Sequence, residues 1–180
     1  KEDEETINVL LTGETPFIRA AFLSDETGNV VEVQTQLIGR HNFNNVMTAI
    51  AMGIYFKVPA GKIKSALETY VPANNRSQLL HHGSNTIFLD AYNANPSSMK
   101  PALESLRAMP GEQKVAILGD MLELGEESLK EHEAIARFAA RQKPEVLALV
   151  GPEFGRTHFK KYGALHFPDT ASVKKWFSGQ

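Results

Sequence analysis

The chain contains no cysteine. That removes any disulfide framework, any thiolate metal site and any cysteine nucleophile. It has no apolar run long enough to span a bilayer, and its first residues, Lys1-Glu2-Asp3-Glu4-Glu5, lack the apolar stretch that follows the basic start of a signal peptide. Neither sign of charge dominates: 19 Lys and Arg stand against 21 Asp and Glu, a formal net charge of −2. A domain with that balance carries no overall basic footprint for nucleic acid. Internal repeats and low-complexity tracts are missing too. These absences point to a reducing, cytoplasmic compartment, with no membrane insertion and no nucleic-acid partner. What is present is enough for a packed core. The 180 residues are 42% apolar and 22% charged, which suits one ordinary domain, or one domain plus a piece of another.

The pattern along the chain changes once. Residues 7–11, 17–23 and 30–37 read as strands, with turn signals at Gly13 and at 25–29. Residues 42–56 show helical spacing, with Phe43, Val46, Met47, Ile50 and Ile54 on one face. A second helix is expected over 60–70, with Ile63, Ala66 and Leu67 facing inward. Val71-Pro72-Ala73-Asn74-Asn75 then punctuates the chain, and the domain boundary is placed there, giving units 1–72 and 73–180. Beyond it, strands at 76–80, 86–89, 114–118, 146–150 and 165–167 alternate with helices at 97–109, 127–142, 153–162 and 171–177. Such alternation predicts an α/β fold with βαβ units and a mostly parallel, Rossmann-like sheet covered on both faces.

Open parallel sheets bind ligands beyond the carboxyl ends of their strands, so unusual residues there carry weight. Three such ends stand out: Asp90-Ala91-Tyr92-Asn93-Ala94-Asn95-Pro96, Gly119-Asp120-Met121 and Gly151-Pro152. A carboxylate in this position can accept hydrogen bonds from a sugar or hold an amine, and asparagines both donate and accept. Asn95-Pro96-Ser97 also reads as the cap of the helix that follows. The convergence of Asp90 and Asp120 on one edge is expected to be functional. Gly39-Arg40-His41-Asn42-Phe43-Asn44-Asn45 opens a helix, whose free N–H groups and partial positive charge sit beside polar side chains suited to a base. The competing reading makes Asn42 an N-cap and His41 a loop residue.

Other patterns fail on chemistry. Gly61-Lys62-Ile63 resembles the end of a phosphate loop, but Ile63 stands where a hydroxyl must meet magnesium. Glu131-His132-Glu133 lacks the second histidine of a zinc helix, because Ala136 occupies that position. His81-His82 reads as a strand end rather than a metal site, and Asn75-Arg76-Ser77 as a chance glycosylation match.

Three of these segments together carry a resemblance. Gly39-Arg40-His41-Asn42-x-x-Asn45 followed by Ala49, Ala51 and Gly53 resembles the late central-domain signature of the Mur ligases. Asp90-Ala91-Tyr92-Asn93-Ala94-Asn95-Pro96-x-Ser98-Met99 and Leu118-Gly119-Asp120-Met121-x-Glu123-Leu124-Gly125, with His132 after it, are most like the member whose incoming amine is D-alanyl-D-alanine. The resemblance implies the tail of a central ATPase domain over 1–72 and a Rossmann-like C-terminal domain over 73–180, truncated at its end, with 71–75 as a hinge for domain closure. It implies ATP and Mg2+ as cofactors, with the Mg2+ ligands outside this chain, and UDP-muramoyl tripeptide and D-alanyl-D-alanine as small-molecule substrates of a monomer. Residue by residue, it implies nucleotide contacts from His41, Asn42, Asn45, Arg76, Asp90 and Tyr92. Arg76 and Asp90 are the catalytic pair, while Asn93, Asn95, Asp120, Met121 and Glu123 fall to the substrate side. No metal ligand is implied here. Ala91 departs from the serine usual after the aspartate, and neither a phosphate-binding loop nor the late Lys-Gly-Ser-Arg segment is present. A fragment inactive by itself is therefore expected. Another Mur or folylpolyglutamate-type ligase, and a non-catalytic nucleotide- or peptide-binding module, are the alternatives.

Overall fold

A computed structural model describes residues 7–24 and 27–179; the charged run at 1–5 and the turn signal at 25–26 lie outside the described residues. The chain divides into two compact units, Lys1–Asp90 and Ala91–Gln180.

In the first unit, β1 (Val9–Gly13), β2 (Phe17–Leu23) and β3 (Val30–Ile38) form an antiparallel sheet in that order. Side chains alternate across a strand, and Ile18, Ala20 and Phe22 are accordingly buried together with Val33. Against them pack α1 (Asn42–Tyr55) and α2 (Ala60–Thr69) through Val46, Ile50 and Ile63. Two expected core residues fall off this stripe: Met47 is 38% exposed, and Ala66 is exposed. Each lies to the side of the 3.6-residue line through its buried neighbours. Gly53 sits where the two helices meet; a Cβ there would lie 2.8 Å from Ile63. Ile50 is wholly buried. Ile50→Ala should cost about 3 kcal/mol of unfolding free energy, the usual range for emptying a core site, read from a denaturant titration; a loss below about 1 kcal/mol would show a looser core.

The unit closes with a hairpin. β4 (Gln78–His82) pairs antiparallel with β5 (Asn85–Leu89), from Gln78↔Leu89 to His82↔Asn85. The strand expected from residue 76 starts two residues later, because Asn75 and Ser77 both hold positive φ, at 53° and 48°, which a pleated strand does not allow. The hairpin forms a sheet of its own. This corrects the expectation that Asp90 and Asp120 leave one parallel edge: they follow strands of different sheets.

In the second unit β6 (Val115–Gly119), β7 (Val146–Val150) and β8 (Leu165–Phe167) form a parallel sheet in chain order. Leu147 and Leu149 of β7 face α3 (Pro96–Ala108) and α4 (Ser128–Arg141), while Ala148 and Val150 face α6 (Thr170–Phe177). Helices thus lie on both faces, as a parallel sheet requires. The helix expected over 153–162 is broken into α5 (Pro152–Gly155) and a 3-10 turn at Phe159–Tyr162. One local and one tertiary bond end it: the Thr157 hydroxyl donates to the Phe154 carbonyl at 2.7 Å, and the His158 amide donates to Glu133, 25 residues upstream, at 2.8 Å.

Candidate functional site

The sharp turn from β3 into α1 brings His41, Asn42 and Asn45 together. Asn42 donates through Nδ2 to the Ile38 carbonyl at 2.7 Å and lies 3.2 Å from His41 Nε2, while its Oδ1 accepts from Asn45 Nδ2 at 2.9 Å. The capping reading of Asn42 is corrected here: the cap position is His41, and no side chain caps the helix. Asn42 is buried and acts as a knot between strand and helix, whereas His41 and Asn45 are exposed. The His41 pKa is lowered, chiefly because neighbouring atoms desolvate the ring, and the charge of Asp90 opposes that shift. A neutral ring that accepts from Asn42 is consistent with this direction.

Asp90, at the end of β5, lies within electrostatic reach of that ring. Its Oδ1 accepts from the Ser77 backbone amide at 3.1 Å. The contact holds the turn in which the exposed Arg76 sits between two residues of positive φ. Left-handed backbone at two non-glycine residues stores strain and persists only where neighbours enforce it. Arg76, Asp90, His41, Asn42 and Asn45 therefore belong to one unit. They offer a cation, a carboxylate, a neutral imidazole and amides, a donor and acceptor set that fits phosphates, a ribose and a purine.

The remaining predicted residues lie in the second unit. Tyr92 is 63% exposed, and Asn93 is exposed beside it. Asn95 caps α3: its Oδ1 accepts from the Ser98 amide at 2.9 Å and the Ser97 hydroxyl at 2.7 Å, and Ser98 Oγ accepts from the Asn95 amide at 3.3 Å. This capping box should make Asn95→Ala cost about 1 kcal/mol, read as a shift of the denaturant midpoint; an unchanged midpoint would exclude the cap as a stabilising element.

Asp120 is committed to the fold. Its two oxygens accept from the Glu153 and Phe154 amides at 2.8 and 2.9 Å, at the start of α5. Met121 is buried in the core, whereas its neighbours Leu122, 73% exposed, and Glu123, at φ 64°, face outward. Asp120 and Met121 thus support the loop from beneath.

Sequence reasoning assigned no structural role to two clusters. His132 is fully buried and bonds the Met121 amide; its position 11 residues downstream was the available signal. Glu133 accepts from the Tyr162 hydroxyl at 2.5 Å and the His158 amide at 2.8 Å. Burial works to raise the Glu133 pKa, but the bonds from Tyr162 and His158 outweigh it and hold the carboxyl below its ordinary value. The stabilisation this gives is present above the unfolded carboxyl pKa and is lost as pH falls through the folded one. Among the described residues, no group of three or more His, Asp or Glu side chains gathers to hold a metal ion. No helix among them is long and apolar enough to cross a membrane.

Known proteins resemble this chain in sequence and fold. Residues 75–166 match the family described as Mur ligase, glutamate ligase domain. A UDP-N-acetylmuramoyl-tripeptide--D-alanyl-D-alanine ligase from Treponema pallidum is 36% identical over 124 residues, 69% of this chain and 27% of that protein. The chain thus spans about a quarter of that relative's length. Crystal structure II of MurF from Acinetobacter baumannii superposes with a TM-score of 0.76 at 26% identity, over 96% of this chain and 37% of that one. MurF from Thermotoga maritima in complex with ADP shares the fold, with a TM-score of 0.74 at 18% identity, over 98% of this chain and 41% of that one. The family match alone covers just over half of the 180 residues: the chain belongs to the Mur ligase family.

Proposed function

We propose that this chain forms part of an ATP-dependent ligase that adds D-alanyl-D-alanine to UDP-N-acetylmuramoyl tripeptide in peptidoglycan synthesis. The observation that carries this reading is the Asp90 carboxylate bound to the Ser77 amide beside Arg76, within reach of His41. The names of the curated relatives supply the substrates. The boundary between the central-type domain and the C-terminal domain is placed at residues 72 and 73, and the ligase is assigned as a cytoplasmic monomer.

Each side chain has a role in this scheme. Asp90 accepts hydrogen bonds from the ribose hydroxyls. Arg76 meets phosphate charge, with a fork of donors that suits it. Asn45 and His41 approach the base, Asn42 holds both in place, and Tyr92 offers a ring face at the nucleotide. Asn93, Asn95 and Glu123 belong to the amine side, and Asp120 and Met121 support the loop that carries Glu123. Bound ATP would supply the γ-phosphoryl group that makes the acceptor carboxylate an acyl phosphate with ADP as leaving group, so that an amine can displace phosphate and lose its proton as the amide forms. The protein's contribution is positioning and electrostatic stabilisation of developing charge. Mg2+ would be held by ligands outside this chain; among the described residues no three or more His, Asp or Glu side chains gather.

The test is product identity. A full-length ligase carrying this chain, given UDP-muramoyl tripeptide and Mg-ATP, should form the pentapeptide by mass with D-alanyl-D-alanine and nothing with single amino acids. Product from a single amino acid would move the chain to another branch of the family. Absence of any product would favour a binding module.

A further inference from the structure

The 119–125 loop is held from α4 by one buried ring. His132 is 0% exposed, and its Nε2 lies 2.9 Å from the Met121 backbone nitrogen. A backbone amide can only donate, so Nε2 accepts and carries no proton. The proton therefore sits on Nδ1, where the Ser128 carbonyl accepts it at 2.7 Å. The opposite tautomer would set N–H against N–H at Met121 and lone pair against lone pair at Ser128. A doubly protonated ring would still lose the Met121 bond.

The surroundings leave little alternative. The Asp120 carboxylate lies 3.7 Å from Nε2 but is occupied by the two α5 amides. The Ser128 hydroxyl, 3.3 Å from Nδ1, donates to Glu153 at 2.7 Å, and Glu153 pairs with Arg156 at 2.9 Å. The Phe154 ring meets the imidazole edge to face, with centroids 4.7 Å apart. Above this brace, Met121 is buried, while Glu123 and Gly125 take left-handed φ of 64° and 54°. A loop with that backbone depends on outside bonds for its shape.

We propose that His132 is a positioning residue: a neutral Nδ1–H imidazole that fixes the 119–125 loop so that its exposed carboxylate, Glu123, is presented to the amine substrate. The substrate half of this proposal rests on the ligase reading above.

Two measurements test it. In this 180-residue chain, the imidazole nitrogen shifts of His132 should report an unprotonated Nε2 and a protonated Nδ1 at neutral pH; the other tautomer, or a charged ring, overturns the brace. In a full-length ligase, His132→Leu removes both the acceptor and the donor, whereas His132→Gln keeps one of each on its amide. Leu should raise KM for D-alanyl-D-alanine about tenfold, with KM for ATP within about twofold, and Gln should recover most of that loss. If the two variants behave alike, or both substrates shift together, the positioning role is refuted. If no dipeptide turnover exists in the unsubstituted ligase while the tautomer is as stated, the ligase reading and the substrate half fail together and the brace stands.

Discussion

Gly151→Ala is expected to remove about 3 kcal/mol from the unfolding free energy, the sum of strain and a lost helix cap. The residue follows β7 with φ at 120°, a conformation side chains rarely adopt. A Cβ placed there would lie 2.3 Å from the Asp120 carboxyl carbon and Oδ2. The carboxylate cannot swing aside freely, because its oxygens hold the Glu153 and Phe154 amides at 2.8 and 2.9 Å. Nor can the backbone retreat: the Gly151 amide donates to the Phe167 carbonyl at 2.9 Å, and the Gly151 carbonyl accepts from His166 Nε2 at 2.8 Å. Forcing the methyl in must distort the backbone or release Asp120 from α5. Urea unfolding of the 180-residue chain checks this. With a slope of about 2 kcal/mol per molar, the midpoint should fall by roughly 1.5 M. A change under about 0.3 M would mean that the loop yields at little cost and that Asp120 does not clamp it. Asp120→Asn, which keeps an acceptor for one amide, should lose about 1 kcal/mol.

How far this clamp was legible in the sequence illustrates a wider division. Elements with a clean period were readable: β2, β7 and β8 fall on the expected residues, and α1 and α3 lie within a residue or two. Burial of one face sets those patterns, and the pattern is local. Asn95 as a cap was readable for the same reason, since its partners lie within three residues. Whatever depends on distant partners was not readable. The pairing of β4 and β5 as an antiparallel sheet of their own was not readable, because both were counted among the strands of one mostly parallel sheet. The helix over 153–162 breaks because Glu133, 25 residues upstream, takes the His158 amide. Asn42 looked like a cap and is a knot, because the Ile38 carbonyl and Asn45 claim its side chain. The candidate site divides in the same way. The residue types around Asp90 and Asn45 were visible as motifs, whereas the support given by Ser77, His132 and Gly151 is a matter of tertiary geometry.

Asp90→Ala carries the second large expected effect, on activity. On the proposed reading the substitution removes a carboxylate acceptor for the ribose, and it also frees the Ser77 amide that Asp90 binds at 3.1 Å. A charge-assisted hydrogen bond of this kind is worth about 1.5–3 kcal/mol, and loosening the Arg76 turn adds to that. Together they should lower kcat/KM for ATP by about 100-fold. Asp90→Asn keeps an acceptor for Ser77 and loses only the charge, so it should fall between the unsubstituted protein and the alanine variant. Stability should drop by about 1 kcal/mol for Asp90→Ala, the value of one part-buried bond, which leaves the protein folded and the kinetic comparison valid.

The most direct measurement is therefore ADP formation by a full-length ligase carrying Asp90→Ala, titrated with ATP at saturating D-alanyl-D-alanine and then with the dipeptide at saturating ATP. A nucleotide role for Asp90 predicts an ATP dependence about 100-fold weaker in kcat/KM, with KM for the dipeptide changed less than about threefold. An ATP dependence within about threefold of the unsubstituted enzyme, or a defect confined to the dipeptide, would contradict it.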